Sequence, residues 1–181
     1  MKGVEIGLFS RKFYLSLHRE KGEIEMDKTL VINYQEFDSA EKTPSGDQEL
    51  MQRAIEAAQG AYAPYSGFHV GAAVRLKDGS VVIGNNQENV AYPSGLCAER
   101  TALFAASAQR PDMRDYEAVA IVGCDAEGQL CEALPCGACR QVMSEYEQRQ
   151  GHPMRVLCYL AGGGVRVFGS VADLLPFGFQ F

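Results

Sequence analysis

From Glu117 to Leu160 the chain reads as an apolar strand, a helix and a second apolar strand, and this succession constrains the fold most. Glu117–Cys124 (EAVAIVGC) is continuous enough in apolar character to be a core strand, and Val156–Leu160 is its counterpart after the helix. A strand-helix-strand unit of this kind calls for a crossover connection and a layered α/β arrangement. The flanking segments add antiparallel pairs. Val70–Leu76 and Ser80–Gly84 enclose Lys77-Asp78-Gly79, which is hairpin chemistry with Asp-Gly at the turn. Val165–Val171 follows Val156–Leu160 across the triple glycine 162–164, which lacks a P-loop lysine and reads as a hairpin turn. Three helices complete the order helix, two strands, helix, strand, helix, two strands. The first starts at a capping box of Ser45 and Gln48, carries Leu50, Met51, Ala54, Ala57, Ala58 and Ala61 at helical spacing, and runs to about Gly60. Ala98–Ala108 is the second, and Pro135 opens the third, which runs through about Gln148. The whole is an α/β layered fold around a mixed sheet.

A chain of 181 residues with 46% hydrophobic and 22% charged residues is a globular domain with a little to spare. A core of this size holds without disulfide staples, so the six cysteines need another explanation. Lys and Arg total 17 against 23 Asp and Glu, and the formal charge of -6 disfavours a nucleic-acid partner. No stretch approaches the ~20 apolar residues of a membrane helix. Met1–Glu25 lacks a secretory apolar run because Glu5, Arg11, Lys12 and His18 interrupt it, so a cytoplasmic location without disulfides is expected. Residues 1–45 read as an N-terminal extension, partly flexible, and residues 46–181 as the domain proper. Within the extension Met1–Asp27 alternates weakly, Thr29–Tyr34 reads as one short strand, and Ser39–Gly46 reads as a polar linker. Met26 is a candidate start, with a genuine N-terminal arm as the alternative.

Cys136 and Cys139 form a Cys-x-x-Cys directly after Pro135, at the expected N-terminus of a helix, where the dipole and free amides favour thiolates. Cys97 stands just ahead of another helix, and Glu99 follows two residues later. Three thiolates with a neighbouring carboxylate suit zinc with one position left for water, the layout of a catalytic site. A redox Cys-x-x-Cys is disfavoured by the third cysteine and its glutamate. A structural zinc would want a fourth protein ligand, which Cys124, Cys131 and Cys158 have no paired spacing to supply. Cys124 and Cys158 read as buried small hydrophobes and Cys131 as a loop residue, while His18, His69 and His152 fall outside every motif. Zinc with three thiolates carries a net negative charge, so Arg100 and Arg140, beside the ligands, are expected to donate to sulfur and restore its acidity.

Cys97-Ala98-Glu99-Arg100-Thr101-Ala102 together with Pro135-Cys136-Gly137-Ala138-Cys139-Arg140-Gln141 resembles the zinc-dependent cytidine deaminases. Tyr65–Ala73 and Asn86-Gln87-Glu88-Asn89 are similar to that family's first strand and ribose-binding loop, and the likeness runs from about Leu50 to Phe179. The resemblance implies a three-layer α/β/α sandwich around a mixed five-stranded sheet. It implies one zinc ion per subunit on Cys97, Cys136 and Cys139, with Glu99 as the proton carrier. Hydroxide would attack carbon 4 of the pyrimidine while Glu99 protonates N3, and ammonia would leave, turning cytidine and deoxycytidine into their uridine counterparts in pyrimidine salvage. Asn86 and Glu88 would bind the ribose, Phe68 would pack on the base, the Ala98 backbone would orient the pyrimidine, and Tyr92 lies in the same loop. The run Leu174–Phe181 resembles the family's terminal segment, in which an aromatic matching Phe179 reaches a neighbouring subunit's active site, and with cysteine as first ligand it implies a homotetramer. Blasticidin-S-type deaminases share the zinc motif but depart from Arg-Thr-Ala after the glutamate. A nucleic-acid editing enzyme would want a basic groove and a histidine first ligand. The non-enzyme alternative is a binding module with a structural zinc.

Overall fold

The computed structural model describes the backbone of residues 9–14 and the full chain of residues 28–112 and 115–180. Its strands are β1 (Phe9–Tyr14), β2 (Thr29–Phe37), β3 (His69–Leu76), β4 (Val81–Asn85), β5 (Tyr116–Cys124), the short β6 (Leu130–Cys131), β7 (Arg155–Tyr159) and β8 (Val165–Phe168). They form one sheet in the order β1-β2-β8-β7-β5-β3-β4, with β6 added to β5. The pairing of β5 with β7 is parallel, through Val119↔Val156 and Ile121↔Cys158, and the others are antiparallel. The helices are α1 (Ser45–Ala58), α2 (Ala98–Gln109) and α3 (Gly137–Gln150). The crossover expected between Glu117 and Leu160 is thus present, with α3 inside it.

Strands buried on both faces read as unbroken apolar runs, which is why Glu117–Cys124 shows no alternation. Ala72, Val74, Val119, Ile121, Val156 and Cys158 pack against Ala102 and Leu103 of α2 and Met143 and Tyr146 of α3. The intervening Ala73, Ala118, Ala120, Val122 and Leu157 pack against Leu50, Met51 and Ala54 of α1. Helices therefore cover both faces. Two glycines set how closely they lie. A Cβ on Gly71 would stand 1.9 Å from the Ala54 carbonyl oxygen of α1, and one on Gly84 2.3 Å from the Ala102 amide nitrogen of α2. Side chains at either place would push a helix off the sheet. Asp47, in the first turn of α1, is buried and ion-paired to Arg75 of β3 and Arg155 of β7, which pins that helix to two strands.

The sheet differs from the five strands expected. Eight are present among the described residues. The strand foreseen at Thr29–Tyr34 continues to Phe37, and its last four residues pair with β8, while β1 pairs along its other edge. The unforeseen β6 arises where the chain reverses at Asp125–Gln129 and returns beside Gly123 and Cys124. So Cys131, expected in a loop, lies in a strand. The Ser45–Gln48 capping box does not form. Pro44, held at φ -52, is the N-cap, and Gln48 reaches back to the carbonyls of Glu41 and Thr43. The linker at Ser39–Gly46 contains a short 3-10 turn at Ala40–Lys42. The expected start at Met26 falls outside the described residues, and so do residues 1–8 and 15–27 of the extension expected to be partly flexible. Among the described residues no helix is long and apolar enough to cross a membrane.

Within β2, Tyr34 packs on Phe168 with ring centroids 5.8 Å apart and lies under the Arg166 guanidinium at 5.2 Å. Removing residues 1–27 leaves these contacts in place, whereas removal through Phe37 uncovers β8. Thermal denaturation is expected to show a near-native melting temperature for the first deletion. The second should lower it by about 5–10 °C, at ~2–4 °C per kcal/mol for a chain of this size. Equal values would refute this account of β2.

Candidate active site

Cys97 and Cys136 occupy the N-cap positions of α2 and α3, and neither side chain caps its helix. Both sulfurs turn instead toward Cys139 in the first turn of α3. The three Sγ atoms lie within 4.8 Å of one another, with Cys97 to Cys136 at 3.9 Å and Cys136 to Cys139 at 3.5 Å. Zinc–sulfur bonds of ~2.3 Å at tetrahedral angles place sulfurs ~3.8 Å apart, so the donor set fits zinc. No fourth histidine, cysteine, aspartate or glutamate joins the group among the described residues. Such a site keeps one coordination position for a small molecule. The sulfurs point inward from two positive helix ends, the field that stabilises thiolates.

The Cys97 thiol has its pKa brought down to about 5 by the Cys139 thiol donating to it and by Arg100. Cys139 is pushed up for the reciprocal reason, as donor to Cys97 and as a buried group. Arg100 Nη2 stands 3.7 Å from the Cys97 sulfur and 3.5 Å from the Gly95 carbonyl oxygen. Its Nε is buried without a hydrogen-bond partner among the described residues, a donor left over beside a cluster that carries negative charge. Arg100 thus places a guanidinium nitrogen beside a cluster sulfur. Arg140 turns to backbone instead: its Nε donates to Pro135 O at 2.8 Å and Nη1 to Leu174 O at 3.2 Å, so it ties down the chain on either side of α3. The side chain leans back toward the helix N-terminus and meets the Pro135 carbonyl first. Glu99, only 4% exposed, has its pKa raised by burial, with the neighbouring Cys97 charge acting in the same direction.

Cys97, Cys136, Glu99 and Arg100 line a cavity of about 790 Å³ that also includes Phe68, Asn86, Glu88 and Tyr92. Asn86 accepts from the Val70 amide at 2.8 Å and donates to the Phe68 carbonyl at 2.9 Å, leaving one site free at each end of its own amide. Glu88 takes the Tyr65 amide at 2.8 Å and the Ser66 hydroxyl at 2.6 Å, and the Ser66 hydroxyl holds its pKa low. Tyr92 meets Tyr65 edge-on at the rim. Ala98 is fully buried and does not line the cavity. Phe179 lies elsewhere, its backbone clasped by both ends of the Gln141 amide and its side chain 68% exposed. The sequence reading missed Glu132 and Leu134 in the cavity wall. No motif marks them, since only the return of β6 beside β5 brings them there.

A family model described as the cytidine and deoxycytidylate deaminase zinc-binding region matches residues 44–151. The chain belongs to that family. Its three-cysteine cluster fits the family's three-cysteine type. Among its relatives, a cytidine deaminase of Halalkalibacterium halodurans is 52% identical over 98 residues, covering 54% of this chain and 70% of the relative. One from Mycobacterium tuberculosis is 40% identical over 116 residues, covering 62% of this chain and 83% of the relative. The crystal structure of cytidine deaminase from Burkholderia pseudomallei superposes with a TM-score of 0.63 at 44% identity, over 72% of this chain and 97% of that one. The cytidine deaminase α/β fold, with its mixed sheet and helices, is thereby shared.

If the three sulfurs hold the metal, Cys136→Ser should lose most of the zinc that copurifies with the native chain. Cys131→Ser, outside the cluster, should retain about one ion per chain. Elemental analysis of the purified proteins decides this, and unchanged zinc in Cys136→Ser would exclude the assignment.

Proposed function

We propose that this protein hydrolytically deaminates cytidine and deoxycytidine to uridine and deoxyuridine with release of ammonia. The observation that carries the reading is a buried carboxylate, Glu99, beside an open three-sulfur site on the wall of a nucleoside-sized cavity. Zinc held by Cys97, Cys136 and Cys139 would supply polarisation of the attacking water, the one element the side chains lack. Glu99 takes the proton of that water and delivers it to N3 of the pyrimidine, so that the new C4–O bond forms on an activated ring. It then carries the proton of the added C4 hydroxyl to the amino group, the C4–N bond breaks as the C4 carbonyl forms, and ammonia leaves. A carboxyl whose pKa is raised by burial is suited to both halves of this cycle. Arg100 draws charge from the Cys97 sulfur.

Asn86 and Glu88 have their loop-facing atoms already engaged, which fixes their remaining hydrogen-bonding sites toward the cavity for the ribose hydroxyls. Phe68 forms the wall against which the base packs. The protein is further proposed to be a homotetramer in which Phe179 completes a neighbour's cavity. Its own cavity lacks that ring, and Phe177 and Phe179 are 88% and 68% exposed. Six free thiols suit a reducing compartment, so a cytoplasmic place in pyrimidine salvage and a domain spanning residues 46–181 belong to this proposal.

Ammonia release from cytidine by the zinc-containing protein is expected, and Glu99→Ala should lower it by about 10²–10⁴-fold with zinc retained. Arg100→Ala should keep its zinc and lose much of its rate. A zinc-containing native protein that leaves cytidine untouched would overturn the reading in favour of a metal that only holds the fold. Light scattering should give four chains per particle. Phe179→Ala should raise KM more than it lowers kcat, and a monomer with native KM would remove Phe179 from the site.

A further inference from the structure

Residues Val119, Ile121 and Gly123 lie on the same face of β5, and Ile121 reaches the cavity wall. The next side chain in that row would point the same way, but Gly123 has none. The ring of Phe68 fills the space instead. A Cβ built on Gly123 would stand 2.9 Å from Phe68 Cζ, 3.1 Å from the Cys131 carbonyl oxygen and 3.2 Å from Cys131 Sγ. Beneath the ring tip there is thus a floor of β5 and β6 backbone with no slack in it. Nor can the other end of Phe68 yield. Its amide donates to Ser66 Oγ at 3.0 Å, its carbonyl takes Asn86 Nδ2 at 2.9 Å, and β3 begins at the next residue. Gly123 is absent from the cavity wall while Phe68 lines it, so the ring stands between them.

We infer that Gly123 is a positioning residue that sets the width of the base slot, by letting the Phe68 ring sink to the sheet. It rests on the reading that Phe68 packs on the base. An added methyl group at Gly123 has two side-chain neighbours, the ring tip at 2.9 Å and the Cys131 sulfur at 3.2 Å, and one hard one, the Cys131 carbonyl, and the ring tip is the nearest of the three. The ring must therefore pivot outward into the space a pyrimidine occupies. The loss is one of binding, since Gly123 touches neither the sulfurs nor Glu99.

The test uses the full zinc-containing chain, with uridine affinity measured by calorimetry beside cytidine kinetics. Gly123→Ala should weaken uridine binding and raise KM for cytidine about tenfold or more, the cost of a group that misfits a pocket. Its kcat should stay within about threefold of native. In a Phe68→Leu background, where no ring tip remains, the same substitution should cost less than about twofold, since residues acting through one contact are not additive. Phe68→Tyr probes the contact from the other side, because its hydroxyl extends from Cζ into the same floor. It should weaken uridine binding in the same direction with Gly123 intact. A Gly123→Ala effect of equal size with Phe or Leu at 68, or native affinity in both Gly123→Ala and Phe68→Tyr, would overturn the inference. Native uridine affinity in Phe68→Leu would instead remove the base-packing reading on which it stands.

Discussion

Two helices that start in different parts of the chain must present their first residues to one another, and the site depends on that convergence. Sulfurs from α2 and α3 come within 4.8 Å only because both helices lie on one face of the sheet at fixed depth. For α2 the depth is set by Gly84, where the Ala102 backbone occupies the volume of a missing side chain. For α3 it is set by the crossover, since the helix leaves from the β5 side and re-enters at β7, the parallel neighbour. Gly71 does the same service for α1 on the opposite face. Close packing of this kind leaves no compliance through which a misplaced helix could recover the sulfur geometry.

Within two residues of one another, Cys97 and Glu99 are shifted in opposite directions. Cys97 meets donors, a thiol and a guanidinium, and becomes more acidic. Glu99 meets burial and becomes less so. One group is thereby suited to stay charged and the other to trade a proton. Helix α3 has a second task besides carrying two of the sulfurs. Arg140 and Gln141 hold the backbone at Leu174 and Phe179, and Glu147 accepts from the Met154 and Val171 amides and the Ser170 hydroxyl. The C-terminal segment is thus referenced to the helix that bears the candidate metal ligands.

The central strands, all three helices and the cysteine cluster were legible in the sequence because each rests on local pattern: unbroken apolar runs, alanine-rich helical spacing, Asp-Gly at a turn. Strands β1 and β6 were not, since a two-residue strand and a weakly alternating one exist only through their partners. The cap of α1 was misread because Pro44, one residue earlier, overrides the Ser-x-x-Gln pattern by fixing the backbone angle. Arg100, three residues after Cys97, and Arg140, directly after Cys139, both stand near cysteines in the sequence, yet only one reaches sulfur, because the nearest acceptor to Arg140 is a carbonyl. Glu132 carried no signal at all, as its place in the cavity depends on the return of β6.

The uncapped starts of α2 and α3 bear on the economy of the whole domain. Serine, threonine, asparagine or aspartate at an N-cap is worth ~1 kcal/mol over a residue that leaves the first amides unpaired. Both of these positions hold a cysteine whose side chain makes no such bond. A cation held by the two sulfurs would offset that deficit, and the metal-free chain would then be the less stable one.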